Sequence, residues 1–483
     1  MTKPCDLSAT EARRLIGLKK LSPTDLLESC IERIEATNPA VNAIVTTVYD
    51  SARTDAKAAH DAVQAGQPLG LLHGLPVVIK DLNATKGIRT TLGSPLFKDN
   101  VPEHDDSVVS RLRSHGAIIL GKTNTPDFGC GSNTKNPLFG ATSNPFDLTR
   151  TSGGSSGGAG AALATCMAPL ANGSDSGASI RNPAAFCGVV GIRPTPGLVA
   201  SKQRPVGLSL NGVEGPLGRS VADVALLLSA LAEYDSMDML SRPVDPSIFR
   251  SLKHVDVSSL RVAYSEDLDF APVDAVVRDT FKKKLQVISS SFAACDAVNP
   301  EMKDAESAYW GVRGLHLLAG SRKLYDQHPQ EISSNLRENI ESVKDLTAQD
   351  MANALVQQTQ TYQKFQALFD QYDVLITPVA NVLPFPHQQL YPEQLEGRPA
   401  RHYAEWFSLC YGISLVGHPA LSIPAGLDPQ GTPFGLQVVG PRFADHRLLE
   451  IGQALEFLFA SFPELRRPVP DVEVLSAMTK GTT

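Results

Sequence analysis

Apolar positions recur at helical spacing early in the chain: Leu26, Leu27, Cys30, Ile31 and Ile34 share one face. Ser22 supplies a cap, Pro23 suits the first helical position, and Asp25 completes a capping-box pattern. Asn38-Pro39 marks a stop, so the pattern predicts a helix over 22–39. The period then shortens. "GLPVVIKDL" is a compact apolar run followed by polar residues, which predicts a buried strand with Lys80 near its C-terminal end. "SVVSRLRSHG" predicts a helix leading into a second strand, "AIILGKTN". Further along, "LRVAYSED", "YDVLITP", "HPALSIPAG" and "FGLQVVG" predict strands. "VDAVVRDTFKKKLQVI" and "DMANALVQQTQTYQKFQALFDQ" predict amphipathic helices. Strand and helix alternate through most of the chain, which predicts an α/β architecture. Residues 233–349 turn polar and mainly helical, and no internal repeat is present.

Periodicity fails in two places. Residues 128–160 are rich in Gly, Ser, Asn and Pro, and a loop of this length inside a compact domain is usually functional. A helix of small residues, "AGAALATCMA", follows it, and then "PLANGSDSGASIRNPAAFCGVVGIRPTPG" reads as loop-rich again. The first loop ends in "RTSGGSSGGAG", with Ser155 and Ser156 between two glycine pairs. A flexible linker would have low complexity on both sides, whereas this loop runs into a packed helix. A phosphate cradle would carry Gly-Lys-Ser/Thr or G-x-G-x-x-G, and neither is present. A loop that presents a reactive hydroxyl remains.

Composition narrows the classes. With 42% hydrophobic residues among 483, the chain can bury a large core. The formal net charge is −7 and no dense basic run exists, which argues against nucleic acid as a partner. "FKKKL" at 281–285 is the nearest to one and reads as a solvated helix face. The seven cysteines lack CxxC spacing, which points to a reducing compartment rather than a disulfide or zinc scaffold. The N-terminus lacks the apolar core of a signal peptide, and no stretch has the length of a membrane span. The expectation is a cytoplasmic protein without a membrane partner.

The chemistry rests on three stretches. "GSDSGASIR", 173–181, packs serines among small residues, where backbone N–H groups can converge on one point as an oxyanion hole requires. No histidine sits in a serine-hydrolase context and no G-x-S-x-G elbow exists. A serine hydroxyl needs a base, and a neutral lysine at a buried strand end can serve; Lys80 is such a residue. His73 beside Gly74 reads as a structural turn histidine.

Taken in order, "HGLPVVIKDL", "TSGGSSGGAG" and "GSDSGASIRNPAAFCGVVGIRPTPG" resemble the amidase signature family. "GAIILGKTNTPDF", "NPLFGATSNPFD" and "GHPALSIPAG…PFGLQVVGPRFAD" extend the resemblance over nearly the whole chain, more weakly over 233–349. The resemblance implies a single α/β/α domain spanning 1–483, with a twisted mixed sheet flanked by helices on both faces. It implies an amidase, an enzyme that hydrolyses carboxylic amides through an acyl-enzyme. Ser179 would be the nucleophile, Ser155 the proton relay on a cis peptide bond, and Lys80 the base. The N–H groups of Ser176, Gly177, Ala178 and Ser179 would form the oxyanion hole. Ser156, Asp175 and Arg181 would fix the loops. No metal or organic cofactor is implied, the partner is a small-molecule amide, and a homodimer is compatible with the resemblance. Ala178 departs from the family's usual glycine, which matters if that position needs φ > 0.

One relative within the resemblance is the glutaminase subunit of a tRNA-dependent amidotransferase, which reads the glutamine carboxylate with an arginine in the middle region. Here that region is "SAYWGVRGLHLLAGSRKLYD", a poor match; Arg313 and Arg322 remain candidates for binding an acidic substrate, with surface ion pairs the blander reading for both. A non-catalytic binding protein of the same fold is the other rival, and the full triad argues against it. Tyr309, Trp310, Trp406, Phe407 and Tyr411 lie outside the motifs and read either as core or as the wall of an apolar pocket. The expected substrate is a bulky, mainly apolar or aryl amide.

Overall fold

The structure, a computed structural model, describes residues 3–480. Its main sheet has eleven strands. In chain order these are β1 (Ile44–Thr47), β2 (Pro76–Lys80), β3 (Ile118–Thr123), β4 (Leu170–Asp175), β5 (Val190–Arg193), β6 (Val213–Gly218), β7 (Arg261–Tyr264), β8 (Ala294–Ala297), β9 (Val374–Pro378), β10 (Ala420–Leu427) and β11 (Pro433–Val439). Their order across the sheet is β1-β3-β2-β4-β6-β5-β10-β11-β9-β7-β8. The sheet is mixed. β2 runs parallel to both β3 and β4, while β6 lies antiparallel to β4 and β5.

Helices cover both faces, and β6 shows this directly. A side chain at Gly215 would point at Ile180, just before the helix α1 (Arg181–Cys187). One at Gly218 would point at Asp223 and Val224 of α2 (Val221–Leu231). Positions three apart on a strand face opposite sides, so the two helices sit on opposite faces. The helix Gly157–Ala164 packs against α1, and its small residues permit the approach. A Cβ at Gly158 would stand 2.4 Å from the Asn124 nitrogen. One core runs the length of the sheet, and a satellite cluster of Cys130, Leu317, Ile332, Leu336, Ile340 and Val343 lies beside the site.

Several expectations need correction. The first long helix is Pro23–Val41 and continues through Pro39. Pro39 sits in the last turn, where it removes a single hydrogen bond, and Asn42 ends the helix in the left-handed region at φ 54°. Ser22 caps Thr24 rather than Asp25. "LANGSD", read as loop, is the central strand β4; it is enclosed on both sides, so packing overrides the weak β-propensity of Asn, Gly and Ser. The stretch 128–160 contains short ribbons, Lys135–Asn136 with Gly140–Ala141 and Ser143–Asn144 with Asp147–Thr151. Residues 233–349 hold β7 and β8 as well as helices. Within "FKKKL", Lys284 is buried and donates to the Glu464 carbonyl at 3.1 Å, so that helix face is not wholly solvated. All seven cysteines are free, and among the described residues no helix is long and apolar enough to cross a membrane.

Candidate active site

Two parallel strands deliver their C-terminal ends to one point. β2 ends at Lys80 and β4 ends at Asp175, and the loop 176–180 follows β4 directly. In open α/β sheets such ends are where reactive groups gather. Lys80 is fully buried, and its backbone N–H donates to Asn172 Oδ1 at 2.9 Å. Its Nζ donates to Ser155 Oγ at 2.7 Å and to Ser174 Oγ at 3.0 Å. Hydroxyls are the only side-chain groups the ammonium touches, and no carboxylate lies within ion-pair reach among the described residues. Burial therefore lowers the Lys80 pKa from 10.5 to about 7, and the more distant Glu214 and Asp175 carboxylates pull it partly back.

The loop carrying Ser155 is held on both sides. Gly153 adopts φ 77°, a left-handed value that favours glycine, and the Gly154–Ser155 peptide is cis, as the resemblance implies. Thr134 Oγ1 accepts from the Gly157 N–H at 3.0 Å, and the Ser156 N–H donates to the Ser179 carbonyl at 3.1 Å. That bond ties the two serine loops together. Ser156 Oγ is buried without a partner. Ser179 is half-buried, and its Oγ makes no hydrogen bond among the described residues. Ser155 and Ser179 line the same cavity, of about 110 Å³, together with Ser174, Ser176, Gly177 and Ala178.

The N–H groups of Ser176, Gly177, Ala178 and Ser179 meet no acceptor among the described residues. They remain free for a ligand oxygen at the cavity wall. Neither Gly177 nor Ala178 has a positive φ, so the alanine at 178 carries no left-handed strain. Gly177 is required for a different reason: a Cβ there would lie 2.7 Å from Tyr309 Oη.

A buried charge cluster braces this loop. Arg181 Nη2 and Nε donate to the two Asp175 oxygens at 2.9 and 3.0 Å. Arg181 also donates to the Gly177 carbonyl, the Cys410 carbonyl, Gln437 Oε1 and Ser414 Oγ at 2.7 to 2.9 Å. Every strong donor direction of the guanidinium is used, so it holds the loop rather than a ligand. Arg193, which sequence reasoning missed, adds Asp175 Oδ1 at 3.4 Å and the Asn211 carbonyl at 2.7 Å. Burial alone would raise the Asp175 pKa, but the two arginines overcome it and hold the group at about 2. Arg193 ends the apolar run "VVGIR" as Lys80 ends "VVIK"; a cation closing a buried strand is the signal that could have found it.

The cavity wall opposite the serines is aromatic: Tyr309, Tyr403, Phe407 and Phe128. Tyr411 stacks on Tyr309 at 4.1 Å behind the wall. Trp406 is buried between Phe186 and Phe385, and Trp310 packs on His402, so neither lines the cavity. Arg313, on the helix α3 (Ala305–Gln327), does line it. Of the two readings of Arg313, the surface ion pair is thus corrected, and the contact with an acidic substrate stays open. Its guanidinium meets Asn339 Oδ1 at 2.9 Å and Tyr309 Oη at 3.5 Å but no carboxylate, because the turn of α3 aims it inward. Arg322 does pair on the surface, with Asp326 at 2.9 Å. His73 is structural, with Nε2 at 2.9 Å from the Ala59 carbonyl. Two further cavities, of about 150 and 420 Å³, share Ser176 and Phe128 with the first and extend the site outward.

Residues 25–449 match the Amidase family. An acylamidase from Rhodococcus erythropolis is 34% identical over 452 residues, covering 93% of this chain and 95% of the relative. A glutamyl-tRNA(Gln) amidotransferase subunit from Alkaliphilus metalliredigens is 31% identical, covering 95% of this chain and 98% of the relative. The crystal structure of a bacterial aryl acylamidase of the amidase signature family superposes with a TM-score of 0.86 at 28% identity, covering 98% of both chains.

Proposed function

The chain belongs to the amidase family and is an amide-cleaving hydrolase, and from that premise we propose that Ser179 is its nucleophile, Ser155 its proton relay and Lys80 its base. The observation that carries the assignment is the 2.7 Å contact of Lys80 Nζ with Ser155 Oγ in a cavity that also exposes Ser179. A lysine whose pKa burial lowers to about 7 has a neutral form available near neutral pH and can accept a proton. Ser179 Oγ forms a bond to the amide carbon. Its proton passes to Ser155 Oγ as the Ser155 proton passes to Lys80 Nζ. Charge develops on the carbonyl oxygen, and the free N–H groups of Ser176 to Ser179 stabilise it, each by about 3 kcal/mol. The C–N bond then breaks, and the amine leaves with the proton returned through Ser155. Water attacks the ester by the same route and releases the acid. A fluorophosphonate should label Ser179, and Ser179→Ala should abolish both labelling and turnover; labelling at another serine would sink the assignment.

For substrate, we favour a bulky, mainly apolar or aryl amide. Leu82, Phe128, Tyr309, Tyr403 and Phe407 supply the apolar wall, and two acylamidases are among the relatives. Arg313 favours a second reading, glutamine hydrolysis within an amidotransferase complex. An inward guanidinium without a carboxylate partner suits a carboxylate-bearing substrate, and the amidotransferase relative is 31% identical. The ratio of kcat/KM for an aryl acylamide to that for glutamine separates the two. The apolar reading expects the anilide to win; a tenfold preference for glutamine, about 1.4 kcal/mol in transition-state binding, would replace it with the second.

A further inference from the structure

Glu214 lies on β6 directly opposite Ser174 of β4. Cross-strand partners present their side chains on the same face, so the carboxyl shares the face of the hydroxyl that Lys80 Nζ contacts at 3.0 Å. Glu214 lines the 420 Å³ cavity with Ser174 and Ser176, and Asn83 hydrogen-bonds its carboxyl, yet its Oε2 is buried with no hydrogen-bond partner among the described residues. It makes no ion pair within 4 Å among the described residues, so it faces Lys80 across the serine without touching it. A buried carboxylate oxygen without a partner is costly, and proteins keep such groups where they act on a neighbour.

We propose that Glu214 is a positioning residue of the Lys80 site: its carboxylate is the countercharge of the Lys80 ammonium in the resting enzyme, and neutralising it extends activity to lower pH. The proposal rests on the reading of Lys80 as base. The other charged groups around Glu214 do not fill this role. Asp175 on β4 is neutralised by Arg181 and Arg193. Asp106, ahead of the helix Ser107–Ser114, accepts from the Ala84 N–H at 2.9 Å. Arg204, in the loop before β6, is shared with Asp238 at 3.5 Å and with backbone carbonyls. His316, across the cavity on α3, is kept neutral, chiefly by burial, with a pKa of about 4. Burial raises the Glu214 pKa while Lys80 pulls it down, so the charge of each group depends on that of the other.

The sign follows. A nearby carboxylate favours the protonated lysine, which is the form unable to act as base. Removing it lets Lys80 lose its proton at lower pH.

The test measures the pH dependence of kcat/KM for an anilide and of the rate of fluorophosphonate inactivation, in parent, Glu214→Gln and Glu214→Asp enzymes. Glu214→Gln should move the acid limb of both profiles down by about one pH unit and leave the high-pH plateau in place. Glu214→Asp, which keeps the charge, should leave the limb near its parent position. An acid limb that stays put or rises in a folded Glu214→Gln enzyme overturns the proposal, as does a loss of turnover at every pH. If Glu214→Gln does not fold, a Glu214→Asp limb that drops as far as one unit overturns it instead, since charge would then not be the cause. Lys80→Ala separates the two claims. If it is inactive while the Glu214→Gln limb is unmoved, only the Glu214 proposal fails; if it retains turnover, the base assignment itself fails.

Discussion

At the scale of single residues, the proposed mechanism needs a lysine that can shed its proton. Lys80 has an ordinary pKa of 10.5 and a folded value of about 7, so the neutral base grows as pH rises through that range. Activity should climb through about pH 7 and then level off, as a kcat/KM profile on an anilide would show. Lys80→Arg keeps length and charge but cannot deprotonate, and should lose about 10²- to 10⁴-fold in kcat. A Lys80→Arg enzyme with near-parent turnover would remove proton transfer from the role of this residue. Arg181 is a different kind of group: all its contacts are to the protein, and it holds Asp175 and the Gly177 carbonyl in place. Arg181→Ala leaves a buried carboxylate beside Arg193 alone and should cost about 3–5 kcal/mol in denaturant unfolding. Asp175 accounts for part of the acid sensitivity. Its folded pKa is depressed to about 2 from 3.8, so its contribution is complete above about pH 4 and lost as pH falls towards 2.

At the scale of elements, the loop between β4 and α1 aims the N–H groups proposed as oxyanion donors. Ala178 lies outside the left-handed region, so glycine would relieve nothing there. Ala178→Gly should lower stability by up to about 1 kcal/mol through the freer unfolded chain and change turnover by less than about tenfold. Gly177→Ala should act mainly on turnover. Its methyl group would press on Tyr309 Oη at 2.7 Å and Phe407 Cε2 at 3.2 Å, shifting the N–H groups and lowering kcat by tenfold or more, to about 10²-fold. Steady-state kinetics and thermal melts on the two variants read this contrast directly. The same region shows what the sequence can and cannot tell. β2, β3, β9, β10 and β11 announce themselves as apolar runs, and the glycines around Ser155 mark an ordered loop. β4 is hidden, because "LANGSD" has the composition of a turn and becomes a strand only by pairing with β2 and β6. Glu214 is hidden for a related reason, being an ordinary charge in its local stretch that only the tertiary fold turns towards Lys80; Arg313 is legible as a candidate, but only the fold separates it from Arg322.

At the scale of the whole molecule, the sheet builds a reactive site at a thermodynamic cost. β2 and β4 run parallel, so their C-terminal ends bring a lysine and a serine-rich loop together deep in the protein, where water cannot solvate an ammonium. Between about pH 7 and 10.5 the unfolded chain holds a proton on Lys80 that the folded protein does not. Stability must therefore rise with pH across that window. At pH 7 the deficit is about three pH units, on the order of 4 kcal/mol. Lys80→Met fills similar volume without a charge and removes the deficit. Against this, Ser155 and Ser174 lose the donor they share, at about 1–3 kcal/mol each. The two effects nearly cancel at neutral pH, so Lys80→Met should be inactive yet unfold no more easily than the parent at pH 7. Its advantage should then shrink and reverse towards pH 10, where the parent no longer carries the penalty. Burial raises the Glu214 carboxyl above its ordinary 4.5, so its own contribution to stability falls with rising pH on the acid side, opposite in sign to that of Lys80. Denaturant unfolding of both proteins from pH 7 to 10 measures the difference. A Lys80→Met protein that is less stable by the same amount at every pH would mean that the buried lysine carries no such penalty, and that the neutral base on which the mechanism depends is not produced by burial.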